Sequence, residues 1–240
     1  MFDALRRRTA AARRERAAAG LPGGPLRRYL ETAPPGPDTP LADLPLLAVD
    51  VETTGFDPRR DRLLSVGFVP VDGDRIVLAG AGGTVVRGDG PGDDDGVGQS
   101  AVLHGLTDDA LATGRSDVEA LDAVLDALTG RVLLAHFTQM ETGFLGELCT
   151  RLHGVTAPFV VVDTLELHHR LLTGGPDMGF STDPSPGELR LWAARERYGL
   201  PVYRAHDAVV DALACAELYL AQIKELGDRG VATLGALTRR

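Results

Sequence analysis

Two carboxylates stand two residues apart in Asp50-Val51-Glu52, directly after the apolar run Leu46-Leu47-Ala48-Val49. Such a run reads as a buried strand, and side chains at i and i+2 of a strand point to the same face. The two acids therefore emerge side by side at a strand end, where like charges repel. A bound cation relieves that repulsion, so Asp50 and Glu52 are candidate metal ligands. Thr53-Thr54-Gly55 follows, a tight bend that brings hydroxyls and backbone N–H groups next to the carboxylates, suitable for a nucleotide. Far along the chain, His206-Asp207-Ala208-Val209-Val210-Asp211 opens a helix for which Asp207 has N-cap chemistry. Asp211 lies one turn into that helix; alone, it is equally well read as compensating the helix dipole. His206 sits just ahead of the helix. Imidazole is the side chain type that exchanges protons near neutrality, which suits removing a proton from water activated by a metal.

The elements that must position these residues are legible from patterning. Strand-like runs span 46–52, 62–71 and 75–86, separated by Asp57-Pro58 and the hairpin-type turn Asp72-Gly73-Asp74. Helices and strands then alternate. Ser116-x-x-Glu119 is a capping box ahead of a helix that Gly130 ends. Residues 131–135 form a short buried strand, 141–153 a helix with Phe144, Leu145, Leu148 and Leu152 on one side, and 158–163 another strand. A helix over 188–198 is closed by Gly199, and the last helix runs from the Asp207 cap to about Leu226. Three hairpin-linked strands followed by αβ units predict an α/β fold: a mixed five-stranded sheet with helices on both faces. Trp192, Leu189 and Tyr198 read as core, His168 and His169 as surface or helix-packing residues, and Asp93–Asp95 as a solvated turn.

Composition bounds what surrounds that unit. Hydrophobic residues make up 44% of 240, enough for a real core. No apolar run is long enough for a membrane span, and no secretory segment is evident near Met1. Cys149 and Cys215 suggest buried reduced thiols and a cytoplasmic protein. The net charge is −9, yet residues 1–30 hold eight arginines against Asp3 and Glu15, leaving 17 basic against 32 acidic residues in the remainder. An acidic body discourages tight, nonspecific duplex binding through phosphates, but not an enzyme that meets phosphates through divalent metals. Residues 1–43 read as a basic arm, solvated in the manner of most charge blocks, plus a Pro/Gly linker; a nucleic-acid arm or a partner-docking helix are the other readings. Residues 44–227 read as the catalytic domain and 228–240 as a tail.

Taken together, Asp50-Val51-Glu52-Thr53-Thr54-Gly55 and His206-x-x-x-x-Asp211 resemble the DEDDh exonucleases, the DnaQ-like family of proofreading subunits, RNase T and oligoribonuclease. The resemblance covers roughly residues 45–225. Between the outer motifs, Leu103-His104-Gly105-Leu106-Thr107 is similar to a family loop, as are Val162-Asp163-Thr164 and Tyr198-Gly199-Leu200 to family landmarks. His136-Phe137-Thr138-Gln139-Met140-Glu141 resembles the second motif with two departures: the family's final Asp is Glu141, one methylene longer, and its usual Asn is Phe137. The resemblance implies a ribonuclease-H-like fold and two Mg²⁺ or Mn²⁺ ions held by Asp50, Glu52, Glu141 and Asp211, with Asp50 bridging. It implies His206 as general base, and Thr53, Thr54, Gly55, Phe56 and His104 as substrate contacts. The implied reaction is hydrolysis of the terminal phosphodiester at a nucleic-acid 3′ end, expected in single-stranded DNA, releasing a nucleoside 5′-monophosphate. RNA trimming of the oligoribonuclease kind shares the same motifs. A polymerase or other protein partner is compatible with them. Glu141 keeps a second class of reading alive, a catalytically silent docking module.

Overall fold

The structure, a computed structural model, describes residues 2–87, 111–174 and 184–239. The expected loop over 103–107, with its candidate substrate contact His104, lies outside the described residues, as do Asp93–Asp95.

The run at 46–52 forms the central strand β1 (Pro45–Thr53). It pairs antiparallel with β2 (Leu63–Asp72), matching Asp50 to Gly67. On its other side it runs parallel to β5 (Val132–Ala135), which runs parallel to β6 (Val161–Asp163). The fold class is as expected, but the strand count is not. The third expected strand is two pieces, β3 (Arg75–Ile76) and β4 (Gly82–Val85), both paired with β2, making a six-stranded mixed sheet. Pro70 lies between the two pairing sites. Its carbonyl accepts from Val77, but proline has no N–H to return to a neighbouring strand, and its ring occupies the space next to Gly80. The outer strand detours through a short 3-10 turn at Leu78–Gly80.

Both faces of the sheet are covered, which the alternation along β1 requires. Leu47, Val49 and Val51 join a core with α2 (Pro25–Glu31), α3 (Asp117–Leu128) and α4 (Gln139–His153). Leu46 and Ala48 join the opposite core with α5 (Thr164–Thr173) and α7 (Ala208–Asp228). Asp50 and Glu52 continue the Leu46–Ala48 parity, toward α7. The capping box at Ser116 forms, with the Glu119 amide donating to Ser116 Oγ at 3.3 Å and the Ser116 amide donating back to Glu119 Oε2 at 2.9 Å. Two further helices complete the described chain: α6 (Leu191–Arg197) and α8 (Leu234–Leu237). No helix among the described residues is long and apolar enough to cross a membrane.

The basic N-terminal segment departs from a solvated arm. Its helix α1 (Phe2–Ala18) ends against the domain, with Ala18 and Leu21 buried beside Leu26, Tyr29 and Leu30 of α2. Arg14 is the reason. Its guanidinium is buried, stacks 4.5 Å from the Tyr29 ring centre, and donates to the carbonyls of Tyr29, Leu30, Thr32 and Pro158. One arginine thus satisfies carbonyls at the end of α2 and in the segment leading to β6, while its charge rests on an aromatic face. The linker is also held: Thr39 and Pro37 accept from Leu234 and Gly235, tying 37–41 to the C-terminal segment.

Removing this anchor leaves several carbonyls without donors. Arg14→Ala is expected to lower stability by on the order of 2 kcal/mol and to make residues 1–24 susceptible to limited proteolysis. An unchanged urea midpoint and cleavage pattern would place the anchoring elsewhere.

Candidate active site

The first motif sits where β1 leaves the sheet. The β1–β2 register slips between Glu52 and Thr53, a bulge that bends the strand end directly after the two acids. The following loop is closed on itself. Thr53 Oγ1 donates to the Gly55 carbonyl at 2.6 Å, and the Arg62 amide donates to Thr54 Oγ1 at 2.9 Å. Asp61 accepts from the Asp57 amide at 2.8 Å, and its carboxyl fills the space a Cβ on Gly55 would need. The threonine hydroxyls thus shape the loop, and Phe56 stands at its tip, 86% exposed.

The third motif is brought to the first by two glycines. A Cβ on Gly67, the partner of Asp50, would stand 2.2 Å from the Ala208 backbone, and one on Gly83 would meet the Val209 side chain at 2.3 Å. Without those methyl groups the first turn of α7 rests directly on β2 and β4. Asp207 caps that turn by accepting from the Val209 and Val210 amides at 3.0 and 3.2 Å. Asp211 follows, buried, and its Oδ2 accepts from the His206 backbone N–H at 3.0 Å. His206 is exposed and has a positive φ of 71°. The sharp bend sets its imidazole at the lip of the site.

The second motif is launched by Asp163, a residue the sequence marked only as a landmark. From the end of β6 it accepts from the Phe137 and Thr138 amides, each at 2.9 Å, from Thr138 Oγ1 at 3.0 Å and from the Leu165 amide at 2.9 Å. This clamp joins the start of α4 to that of α5. Glu141 lies in the first turn of α4, buried, with its Oε2 lacking any hydrogen-bond partner. His136 is internal: Nε2 contacts the Leu189 carbonyl at 2.8 Å and Nδ1 the Thr164 hydroxyl at 2.9 Å. Burial holds its pKa down at about 4, so it is a neutral strut.

Oxygens of Asp50, Glu52 and Asp211 all lie within 4.8 Å of one another. Glu141 stands beside this trio; among its neighbours' charges, Glu141 acts most strongly on Asp50. Burial, then Glu141, Glu52 and Asp211, push Asp50 well above the usual carboxylate range. Burial and the charges of Asp211 and Asp207 raise Glu52 to about 7. Burial also raises Asp211, against the His206 N–H bond, and raises Glu141 strongly. Asp211 Oδ1 is a second buried oxygen without a partner. A set of hard oxygen donors, mutually repelling and partly unsatisfied, fits a divalent cation such as Mg²⁺ or Mn²⁺.

One further group was invisible in the sequence. Arg195 of α6 is fully buried, donating to the Ala214 and Pro201 carbonyls at 2.5 and 2.8 Å and pairing with Glu217 at 2.7 Å. Tyr203 donates to the same Glu217 at 2.8 Å. This network ties α6, α7 and the segment before His206 into one body.

Solved structures place this arrangement in a class. Cell-death related nuclease 4 aligns with a TM-score of 0.57 at 16% identity, over 77% of this chain and 65% of that one. E. coli exonuclease I, in complex with a dT13 oligonucleotide, aligns with a TM-score of 0.61 at 16% identity, over 78% and 43%. The fold is that of the ribonuclease-H-like exonucleases. The sequence is more specific: the RNase T exonuclease family profile matches residues 47–219, and the chain belongs to that family. A PolC-type DNA polymerase III of Thermotoga maritima is 26% identical over 207 residues, 84% of this chain and 14% of the polymerase. A DNA polymerase III subunit epsilon-like protein of Rhodobacter capsulatus is 30% identical over 203 residues, 83% of this chain and 27% of that protein. The chain thus spans a minor part of these relatives.

Two measurements probe the geometry. Gly67→Ala should lift the start of α7 off the sheet, costing about 2 kcal/mol of stability and weakening Mn²⁺ binding; wild-type values for both would show that this approach does not hold Asp211. The raised carboxyl groups bind more protons folded than unfolded. For Glu52 that window runs from its ordinary 4.5 to about 7. Stability without divalent cations should therefore be full below that window and fall as pH rises through it. Added Mn²⁺ should raise the melting temperature more at pH 7.5 than at pH 5. A cation-free melting temperature that is flat from pH 5 to 8 contradicts the electrostatic picture.

Proposed function

We propose that this chain is a metal-dependent 3′→5′ exonuclease that removes nucleoside 5′-monophosphates from the 3′ ends of single-stranded DNA. The observation that carries this reading is the convergence of Asp50, Glu52 and Asp211 oxygens within 4.8 Å, with the unpartnered Glu141 oxygen beside them. Such a set is costly without a cation, and family membership gives the cation a reaction to serve.

Two Mg²⁺ or Mn²⁺ ions are the expected complement, Asp50, Glu52 and Asp211 holding one and Asp50 with Glu141 the other. Bound there, they supply neutralisation of phosphoryl charge and acidify water. His206, fixed to Asp211 through its backbone N–H, takes the proton of the attacking water at its exposed imidazole. The water oxygen forms its bond to phosphorus as the bond to the 3′-oxygen breaks, and the 3′-oxygen takes up a proton. Phe56 and the 53–55 turn border the terminal nucleotide. Exonuclease I, solved with a dT13 oligonucleotide, supports a single-stranded substrate, and the polymerase III relatives support a polymerase partner. The two buried free thiols support a cytoplasmic setting.

The test is degradation of 5′-labelled single-stranded DNA and RNA oligomers with Mg²⁺, Mn²⁺ or EDTA, beside Asp50→Ala and His206→Ala. Expected is a ladder shortening from the 3′ end, abolished by EDTA and in Asp50→Ala, with the DNA arm faster. His206→Ala should lower kcat by on the order of 10²- to 10⁴-fold while leaving Mn²⁺ binding intact. A faster RNA arm reassigns the sugar to the oligoribonuclease-like reading. No cleavage of either polymer with metal bound returns the silent docking module.

A further inference from the structure

Among the described residues, five large apolar side chains are exposed: Phe56, Leu78, Val118, Phe137 and Val202. Three of them stand four residues from a group of the site: Phe56 after Glu52, Phe137 before Glu141, and Val202 before His206. Scattered surface apolar residues need no explanation, but recurrence around one cleft does.

Phe137 is the most costly of the three to maintain. Its φ is +77°, left-handed backbone that a bulky side chain rarely adopts and that glycine or asparagine tolerates. The conformation is imposed: Asp163 accepts the Phe137 and Thr138 amides at 2.9 Å each, so the turn bends this way whatever side chain it carries. Yet the ring is 41% exposed, so burial recovers only part of the strain. Its place is telling. The parallel register of Ala48 with Leu134, continued past the end of β5, sets Phe137 level with Val51, between Asp50 and Glu52 on the neighbouring strand. A strained, half-exposed aromatic at the carboxylate end of the sheet gains little for folding and offers a π-face at the mouth of the site.

We propose that Phe137 is a specificity-determining residue that stacks against an unpaired nucleobase of the substrate strand. This rests on the nuclease reading above. Stacking strength grows with base area, so the preference is for a purine over a pyrimidine, and it requires a base freed from its duplex partner.

The experiment compares the full chain with Phe137→Asn and Phe137→Trp, reading KM, kcat and melting temperature with single-stranded oligomers ending in purines or pyrimidines. Phe137→Asn relieves the strain, so the melting temperature should rise by about 2–4 °C. The same variant should raise KM about tenfold, more for purine ends, with a smaller change in kcat. Phe137→Trp should restore KM without the gain in stability. A merely structural ring gives the opposite pattern: Phe137→Asn would melt lower and keep the wild-type KM, which overturns the proposal while leaving the nuclease reading intact. Absence of degradation by the wild-type chain overturns both.

Discussion

Buried carboxylates repel one another, and the rest of this molecule is arranged around holding four of them together without the usual means of relief. None of Asp50, Glu52, Glu141 and Asp211 has an arginine or lysine in a printed ion pair, and two of their buried oxygens have no hydrogen-bond partner. Each is fixed by its backbone instead. The central strand delivers two of them, the first turns of two helices deliver the others, and helix N-termini partly offset the negative charge there. A site built this way is strained in isolation and relaxes on taking up cations, which couples ligand binding to the stability of the fold.

The helices are kept in place by contacts that lie outside the motifs. Gly67 and Gly83 let α7 settle on the sheet, Asp163 clamps the launch of α4, and the Arg195–Glu217–Tyr203 group braces the segment carrying His206. Arg195 pairs with a glutamate, caps two carbonyls and lies 5.4 and 5.1 Å from the ring centres of Trp192 and Tyr203. A buried charge so fully engaged serves to define one geometry more than to add stability.

The two departures from the family's second motif fall within six residues and act on different properties. Glu141 carries its carboxylate one methylene further from the helix, and the structure sets it beside the Asp50–Glu52–Asp211 trio, with its Oε2 unbonded. Phe137 replaces a side chain suited to left-handed backbone with one that is not, in a turn whose shape Asp163 dictates. Both changes leave the frame of the motif intact because that frame depends on main-chain bonds to Asp163.

Much of this was readable in the sequence. The Asp50–Glu52 pair at a strand end, the Asp207 cap, the Ser116 capping box and the alternation of helices and strands are local properties, set by periodicities of two and 3.6 and by side chains that bond their own backbone. The resemblance to DEDDh exonucleases rested on the same local strings, and family membership agrees with it. Tertiary structure decided the rest, because those features depend on residues distant in sequence. The outer strand broke in two because Pro70, on its neighbour, cannot donate. The basic N-terminal segment docked because Arg14 finds carbonyls at Leu30, Thr32 and Pro158, the last 144 residues away. Gly67 reads as an ordinary strand glycine until Ala208 is seen resting on it. The types and spacing of the acids were written in the chain; how closely they approach, and which of their oxygens are left unsatisfied, was settled only by packing a helix from one end of the chain onto a strand from the other.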